Sequence, residues 1–330
     1  MKGYKCLNKQ EYKTGDYHLV PIRDEDRYLI MEWRNEQIYH LRQNKYLSKK
    51  NQDIYFKDIV NPQKKEKNPD QILFSFLEGN SCIAYGGLVH INWEDKNGEI
   101  SFVMKTALEK ERFVLLWDNF LRLIKQVAFK ELDLHKIYTY AFDIRPKLYE
   151  PLIKNGFIKE GHLREHCIID SKYYDVFYHS LLNPLHSISI RDVKKEDEDL
   201  LFDWRNDPEV RANAFNTNKI NLENHRKWFA NKLADEKCKI YIFESFYKNP
   251  IGQVRLELFD DKWMINYSID SRYRGIGLGG KIINEIVKLE KGKFFFAQVK
   301  KTNIASIKTF ENQNFHMKSN DKEVINFELE

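Results

Sequence analysis

The chain has 330 residues, enough for two domains of ordinary size. Charged residues make up 31% and hydrophobic ones 42%, and the net charge of +5 is spread over mixed Lys and Glu. This balance excludes a disordered polyelectrolyte and a nucleic-acid partner, since even the basic run at 63–67 is broken by Glu66. The N-terminus lacks an apolar signal core and no apolar run approaches membrane-spanning length, so the expected location is cytoplasmic, with no membrane partner.

The first periodic segment begins at Pro21-Ile22-Arg23-Asp24 and runs through a helical pattern to Trp33-Arg34-Asn35. A second helix follows, then apolar strands at 72–88 carrying glycines and a strand at 99–104. Phe113, Leu116, Trp117, Phe120, Ile124 and Val127 repeat at helical spacing and predict a long amphipathic helix. A strand at 136–141 and a short helix ending in Asn155-Gly156-Phe157 complete the segment.

His162 and His166 have a spacing that suits two metal ligands on a helix. Turn and strand are predicted there instead, which separates the pair by roughly 13 Å, so no metal is expected. Cys6, Cys82, Cys167 and Cys238 are scattered without a Cys-x-x-Cys and read as reduced thiols.

Asn183-Pro184-Leu185-His186-Ser187 is a polar joint, and beyond it the pattern begins again. Ser189-Ile190-Arg191-Asp192 leads to Trp204-Arg205-Asn206. Strands follow at 240–258, 264–270 and 294–299, and a last helix ends in Gln313-Asn314-Phe315. The strand assignment rests on alternation, with Val254, Leu256 and Leu258 on one face and Gln253, Arg255 and Glu257 on the other. The organisation is two tandem copies of one mixed α/β domain, residues 1–185 and 186–330.

Between the strand at 264–270 and the helix marked by Leu278, Ile282, Ile286 and Leu289, the second copy reads Arg272-Tyr273-Arg274-Gly275-Ile276-Gly277-Leu278-Gly279-Gly280. A strand breaking into a glycine turn that opens a helix aims backbone N–H groups and a positive dipole end at one point, which suits a pyrophosphate. No Gly-Lys-Ser/Thr follows, and there is no βαβ unit with a ribose-binding acid.

Arg272, Gly275 and Gly277 in this spacing resemble the acyl-coenzyme-A signature of the GCN5-related N-acetyltransferases. The order of elements in both copies is similar to that fold, over essentially the whole chain from about residue 17. The resemblance implies acetyl-CoA as cofactor in the second copy. It would be held by Tyr267, Ser268 and Ile269, by Arg272, Arg274, Gly275, Ile276, Gly277, Leu278 and Gly279, and by Asn303, Ser306 and Phe310. Phe310 takes the place of the tyrosine that many relatives use to protonate the departing thiolate.

Asp203-Trp204-Arg205-Asn206-Asp207 with Arg211, and His225-Arg226-Lys227-Trp228-Phe229, resemble acetyltransferases of nucleotide-linked amino sugars, the pseudaminic-acid type. Arg205, Asn206 and Arg211 are the substrate-binding candidates, because an arginine fork suits phosphate. His225 and Glu257 are the candidate bases for keeping an amine neutral. His225 reads equally as a helix-face histidine and Glu257 as a solvent-facing strand residue.

The end of the first copy, Gly156 to Tyr178, looks like the Rim-type branch that acetylates protein N-termini. In place of the glycine turn it has Lys105-Thr106-Ala107-Leu108-Glu109-Lys110-Glu111-Arg112, which predicts lost coenzyme binding. Where relatives place a glutamate early in the strand before the turn, the first copy keeps Glu99 and the second has Met264. The reading is an N-acetyltransferase of a small amine, monomer or homodimer. Its alternative is a protein N-terminal acetyltransferase, with the first copy a binding or dimerisation module.

Overall fold

The computed structural model describes residues 3–321 and 323–329. The chain divides into two compact units, Met1–Asn183 and Pro184–Glu330. In unit 1, β1 (Tyr12–Thr14), β2 (Tyr17–Pro21), β3 (Ile72–Glu78), β4 (Ser81–Asn92), β5 (Asn97–Met104), β6 (Lys136–Phe142), β7 (Ile158–Ile169) and β8 (Lys172–Leu182) form one sheet in the order β1-β2-β3-β4-β5-β6-β8-β7. In unit 2, β9 (Ser189–Asp192), β10 (Cys238–Glu244), β11 (Pro250–Phe259), β12 (Lys262–Ile269), β13 (Phe294–Lys300), β14 (His316–Asn320) and β15 (Val324–Leu329) form a second, ordered β14-β15-β13-β12-β11-β10-β9.

Each sheet is antiparallel except at one junction, β5/β6 or β12/β13, where the strands run parallel. A parallel pair needs a crossover, and an amphipathic helix supplies it in both units: Thr106–Lys125 and Leu278–Leu289. The second of these buries Leu278, Ile282, Ile283 and Ile286, each contributing roughly 1.5–3 kcal/mol by leaving water. On the other face of the sheets lie the first helices of each unit. Ile30, Trp33 and Phe56 pack there with Leu73 and Tyr85 in unit 1, and Leu201, Trp204 and Phe229 with Ile240 and Ile242 in unit 2.

The repeated motifs do the same work twice. Arg23 and Arg191 each hold an aspartate in the following turn with two bonds, Asp26 at 2.7 and 2.8 Å and Asp197 at 2.6 and 2.8 Å. Asn35 donates to the Leu47 carbonyl and accepts from its N–H, at 2.9 and 2.8 Å. Asn206 clasps Ile220 in the same way, at 3.0 and 2.9 Å. The motif therefore fixes the loop after the first helix in each unit.

Unit 1 differs by its long β7–β8 hairpin and by π-helical turns at Phe56–Val60 and Gln126–Glu131, which periodicity did not indicate. His162 and His166 both lie on β7, and His162 meets Asp175 at 2.5 Å. Among the described residues, no group of three or more His, Cys, Asp or Glu side chains is arranged to hold a metal, and no helix is long and apolar enough to cross a membrane.

Candidate active site

In unit 2 the parallel junction is short. β12 and β13 pair only at Lys262–Phe294, Trp263–Phe295 and Met264–Phe296, and beyond Met264 they part. Along residues 265–269 one edge of β12 thus has no strand neighbour, while its other edge is paired to β11 throughout. Backbone N–H and C=O groups on such an edge seek a partner, and an extended amide-containing arm can act as one. Tyr267, Ser268 and Ile269 lie on this stretch.

The chain then turns into the helix Leu278–Leu289. Gly275 and Gly277 have φ of +82° and +94°, backbone that side chains seldom adopt. A Cβ on Gly277 would meet nothing within 4 Å, so the glycine opens onto free space. No side chain caps the helix, and its first N–H groups remain available to an anion. Gly279 has another reason to be small, since its Cβ would come within 3.2 Å of the Tyr267 ring. Asn303 caps the helix Ile304–Asn312 by accepting from the Ser306 N–H at 3.1 Å. These residues fit the pyrophosphate and extended arm of coenzyme A.

The two arginines of the motif do not serve as free charges. Arg272 grips Asp270 at 2.8 and 2.9 Å, and Asp270 also accepts from the Trp204 indole at 2.9 Å. Arg274 reaches Asp207 at 2.8 Å, Glu209 at 2.9 Å and the Ile269 carbonyl at 3.0 Å. Both brace the turn against the first helices, and Ile276 is buried beneath it. Phe310 packs against Tyr267, Phe315 and Phe327 in the core. The phenol on this face is that of Tyr267, whose hydroxyl lies 3.0 Å from the Ser306 hydroxyl. Burial raises its pKa, so it keeps its proton. The sequence pointed to Tyr267 for its backbone alone, and only the fold shows where its side chain goes.

The opposite face of the parting strands is polar. Gln253, Arg255 and Glu257 stand opposite Ser268, Asn266 and Met264, and share the side of the sheet covered by the first helices. Arg255 lies over the Trp228 ring, 5.3 Å from its centre. Arg205 donates to the Asn216 carbonyl at 2.7 Å, and its Nη1 is buried with no partner among the described residues. Burial and then the charges of Arg211 and Arg255 lower its pKa. Arg211 bonds the Asn206 and Thr217 carbonyls, both at 3.2 Å. Three arginines thus gather here, with the Glu257 carboxylate paired to Arg255 and to Lys232.

Three of the candidate side chains are engaged by the fold itself. Glu257 is no free base. Burial alone would push its carboxyl up, but Arg255 at 2.9 Å and Lys232 at 2.6 Å outweigh that and hold it below the usual range. His225 is 1% exposed, wedged among Phe202, Trp228 and Phe229, with Nε2 donating to the Glu198 carbonyl at 2.9 Å. It is a strut between helices. Asn206 has its amide committed to the Ile220 clasp.

Unit 1 parts at the matching place, since β5 and β6 pair only from Asn97–Lys136 to Glu99–Tyr138. The helix beyond opens at Thr106 instead of a glycine turn. Thr106 is bonded to Glu36 and to the buried Gln37, which also donates to the Met104 carbonyl at 2.7 Å. Glu109 in the first turn pairs at 3.1 Å with Arg145. The unit's own carboxylates sit where an anion would bind, and its residues do not fit a pyrophosphate.

Two models described as Acetyltransferase (GNAT) domain match the chain, one over residues 19–178 and the other over 187–316. Spermidine N(1)-acetyltransferase of Vibrio cholerae serotype O1 is 30% identical over 89 residues. That stretch is 27% of this chain and only half the length of the relative. Among solved structures, the chain is similar to spermidine N-acetyltransferase from Vibrio cholerae in complex with CoA and spermine. Identity is 20% and the TM-score 0.46, over 52% of this chain and 97% of that one. A domain from Methanocaldococcus jannaschii DSM 2661 has 21% identity and a TM-score of 0.38, over 43% of this chain and 99% of its own. The two family models together span most of the sequence, and the chain belongs to the GNAT acetyltransferases, enzymes that use acetyl-CoA, with two such domains in tandem.

Proposed function

We propose that unit 2 alone carries acyl transfer, from acetyl-CoA to a small primary amine, and that unit 1 holds no coenzyme. The observation that carries this reading is the contrast at the two helix starts. One is an uncapped glycine turn with Gly277 at φ +94°, and the other is filled by Thr106, Glu36 and the Glu109–Arg145 pair. When bound, the coenzyme supplies an activated thioester. The chain's own residues then have three tasks. The open edge of β12 binds and orients the extended arm, and its N–H groups are the donors placed for developing negative charge on a carbonyl oxygen. The buried Tyr267 hydroxyl holds a proton beside Ser306 on the coenzyme face. Arg205, Arg211 and Arg255 receive the acceptor on the other face.

That cluster also bears on the acceptor. A positive field disfavours an ammonium and so lowers the pKa of a nearby amine, which offsets the absence of a free base. It favours an amine that carries an anionic group of its own, and a nucleotide-linked amino sugar is such a compound. Similarity to spermidine acetyltransferase raises a polyamine as the second reading, against which the three arginines speak. A protein N-terminus is a third.

Thiol release from acetyl-CoA with each class of amine tests this. Turnover of a phosphorylated amino sugar well above its unphosphorylated parent and above spermidine supports the reading. A preference for spermidine or for a peptide overturns the acceptor assignment, and no release with any amine overturns the assignment of unit 2 as catalyst.

A further inference from the structure

Unit 1 hides two polar side chains that unit 2 lacks. Thr139 of β6 and His179 of β8 stand opposite each other in register, 4% and 3% exposed. The Thr139 hydroxyl and His179 Nδ1 are buried with no hydrogen-bond partner among the described residues. The matching positions in unit 2 are Ala297 and Phe327, again opposite each other. Two orphaned polar atoms side by side in a core are rare and destabilising. Unit 2 shows that the frame does not need them.

Each unit lays an aromatic ring from the helix after the parted strand over this strand position. In unit 2 Phe310 stacks on Phe327, 5.8 Å between centres and 22° between planes. In unit 1 Tyr149, the first residue of the helix Tyr149–Lys154, stacks on His179 at 5.1 Å and 25°. Two bonds hold the start of that helix. Tyr149 donates to Asp143 at 2.7 Å, and the Trp117 indole donates to the Leu148 carbonyl at 3.2 Å.

The charge around the imidazole is one-sided. Lys159 of β7 faces His179 in register. Its ammonium lies over the Phe177 ring, 3.3 Å from the centre, and pairs with no carboxylate among the described residues. On the same face β6 offers Thr139 and Ala141, and β8 offers Phe177 and Leu181, all uncharged. From the helix side Tyr149 is held neutral by burial, and Asp143 is engaged by its hydroxyl. Burial, and then the charge of Lys159, lower the pKa of His179.

We propose that this pair is an acid-operated catch in unit 1: His179 lies neutral and enclosed under Tyr149, and as pH falls it takes a proton and the helix Tyr149–Lys154 lifts from β6 and β8. An imidazolium carries two N–H donors and a charge, and the closed seam offers it no acceptor and a lysine as neighbour. In the open form the ring titrates at its ordinary 6.5. Above that value neither form holds the proton and pH has no effect. Below it the open form gains a proton that the closed form does not, so closure weakens about tenfold per pH unit until the closed form titrates too. The catch does not depend on which unit binds coenzyme.

Hydrogen exchange of the full chain between about pH 7.5 and 5.5, corrected for the intrinsic pH dependence of exchange, tests this. Protection over residues 149–157 is expected to fall about tenfold per pH unit below about 6.5, while Ile304–Asn312 of unit 2 keeps its own. His179→Phe/Thr139→Ala installs the residues of unit 2, and is expected to remove the pH response and raise protection near neutral pH. His40, also buried in unit 1, is unchanged in that variant and cancels from the comparison. If the double variant misfolds, Lys159→Glu at the exposed strand decides, because a carboxylate there stabilises the imidazolium inside the closed seam and shrinks the response. A wild type without the response, a double variant that retains it, or a response unchanged in Lys159→Glu overturns the proposal.

Discussion

The two units share a frame and divide its equipment. Both part a parallel strand pair after three residues, and both clasp the following loop with the asparagine of a Trp-Arg-Asn motif. On the coenzyme face, unit 2 has glycines where unit 1 has Thr106 and Glu109. On the opposite face unit 1 has the buried Glu99 paired with Arg42, where unit 2 has an arginine cluster. The lesson is that duplicated domains diverge where ligands would touch them, while the contacts that fix backbone position stay.

The largest effect expected from breaking this contrast is at Gly277. Gly277→Trp forces a side chain into left-handed backbone and into the space facing the helix start. It is expected to weaken acetyl-CoA binding on the order of 100-fold or more, the loss of two or so charge-assisted hydrogen bonds. Fluorescence or calorimetric titration checks this, and unchanged affinity would place the coenzyme elsewhere.

Glu290 gives a pH signature confined to unit 2. Burial would raise its pKa, but Lys239 at 2.8 Å, Lys293 and Tyr241 outweigh this and hold it at about 2 against the ordinary 4.5. A depressed carboxyl contributes stability above its ordinary value and loses it as pH falls through the depressed one. Glu290→Gln is therefore expected to cost about 3 kcal/mol near neutral pH. The gap between wild type and variant in denaturant melts should close between about pH 4.5 and 2. A gap that is constant with pH would contradict the assignment.

Asn35→Ala and Asn206→Ala each remove two bonds to one loop residue, and about 2 kcal/mol is expected from each. Equal losses sharpen the view of the motif as scaffold. If Asn206→Ala instead raises KM with stability intact, Asn206 is a substrate contact after all. The smallest effect is expected at Glu257. Glu257→Gln should change kcat by less than about tenfold and leave the acid limb of the pH–rate profile in place, because a doubly paired carboxylate is not the base. Loss of that limb would reinstate it.

Much of this was legible in the sequence. Alternation around Val254 and Leu256 and the helical spacing of Leu278, Ile282 and Ile286 gave the elements, because both patterns record which face is buried. The glycine turn was readable because Gly277 and its neighbours serve a backbone need. Side-chain pairing was not. Arg272 and Arg274 look like phosphate ligands until Asp270, Asp207 and Glu209 are seen to claim them, and those partners are set by tertiary folding. The engagement of His225 by the Glu198 carbonyl and of Glu257 by Arg255 and Lys232 was hidden for the same reason. Tyr267 went unnoticed as a side chain because its hydroxyl meets Ser306 only across 39 residues of chain.

The central claim is that one unit binds coenzyme and the other does not, and counting bound acetyl-CoA per chain by calorimetry tests it most directly. One site per chain that disappears in Gly277→Trp is the predicted result. Two sites, or one that survives the substitution, would contradict it.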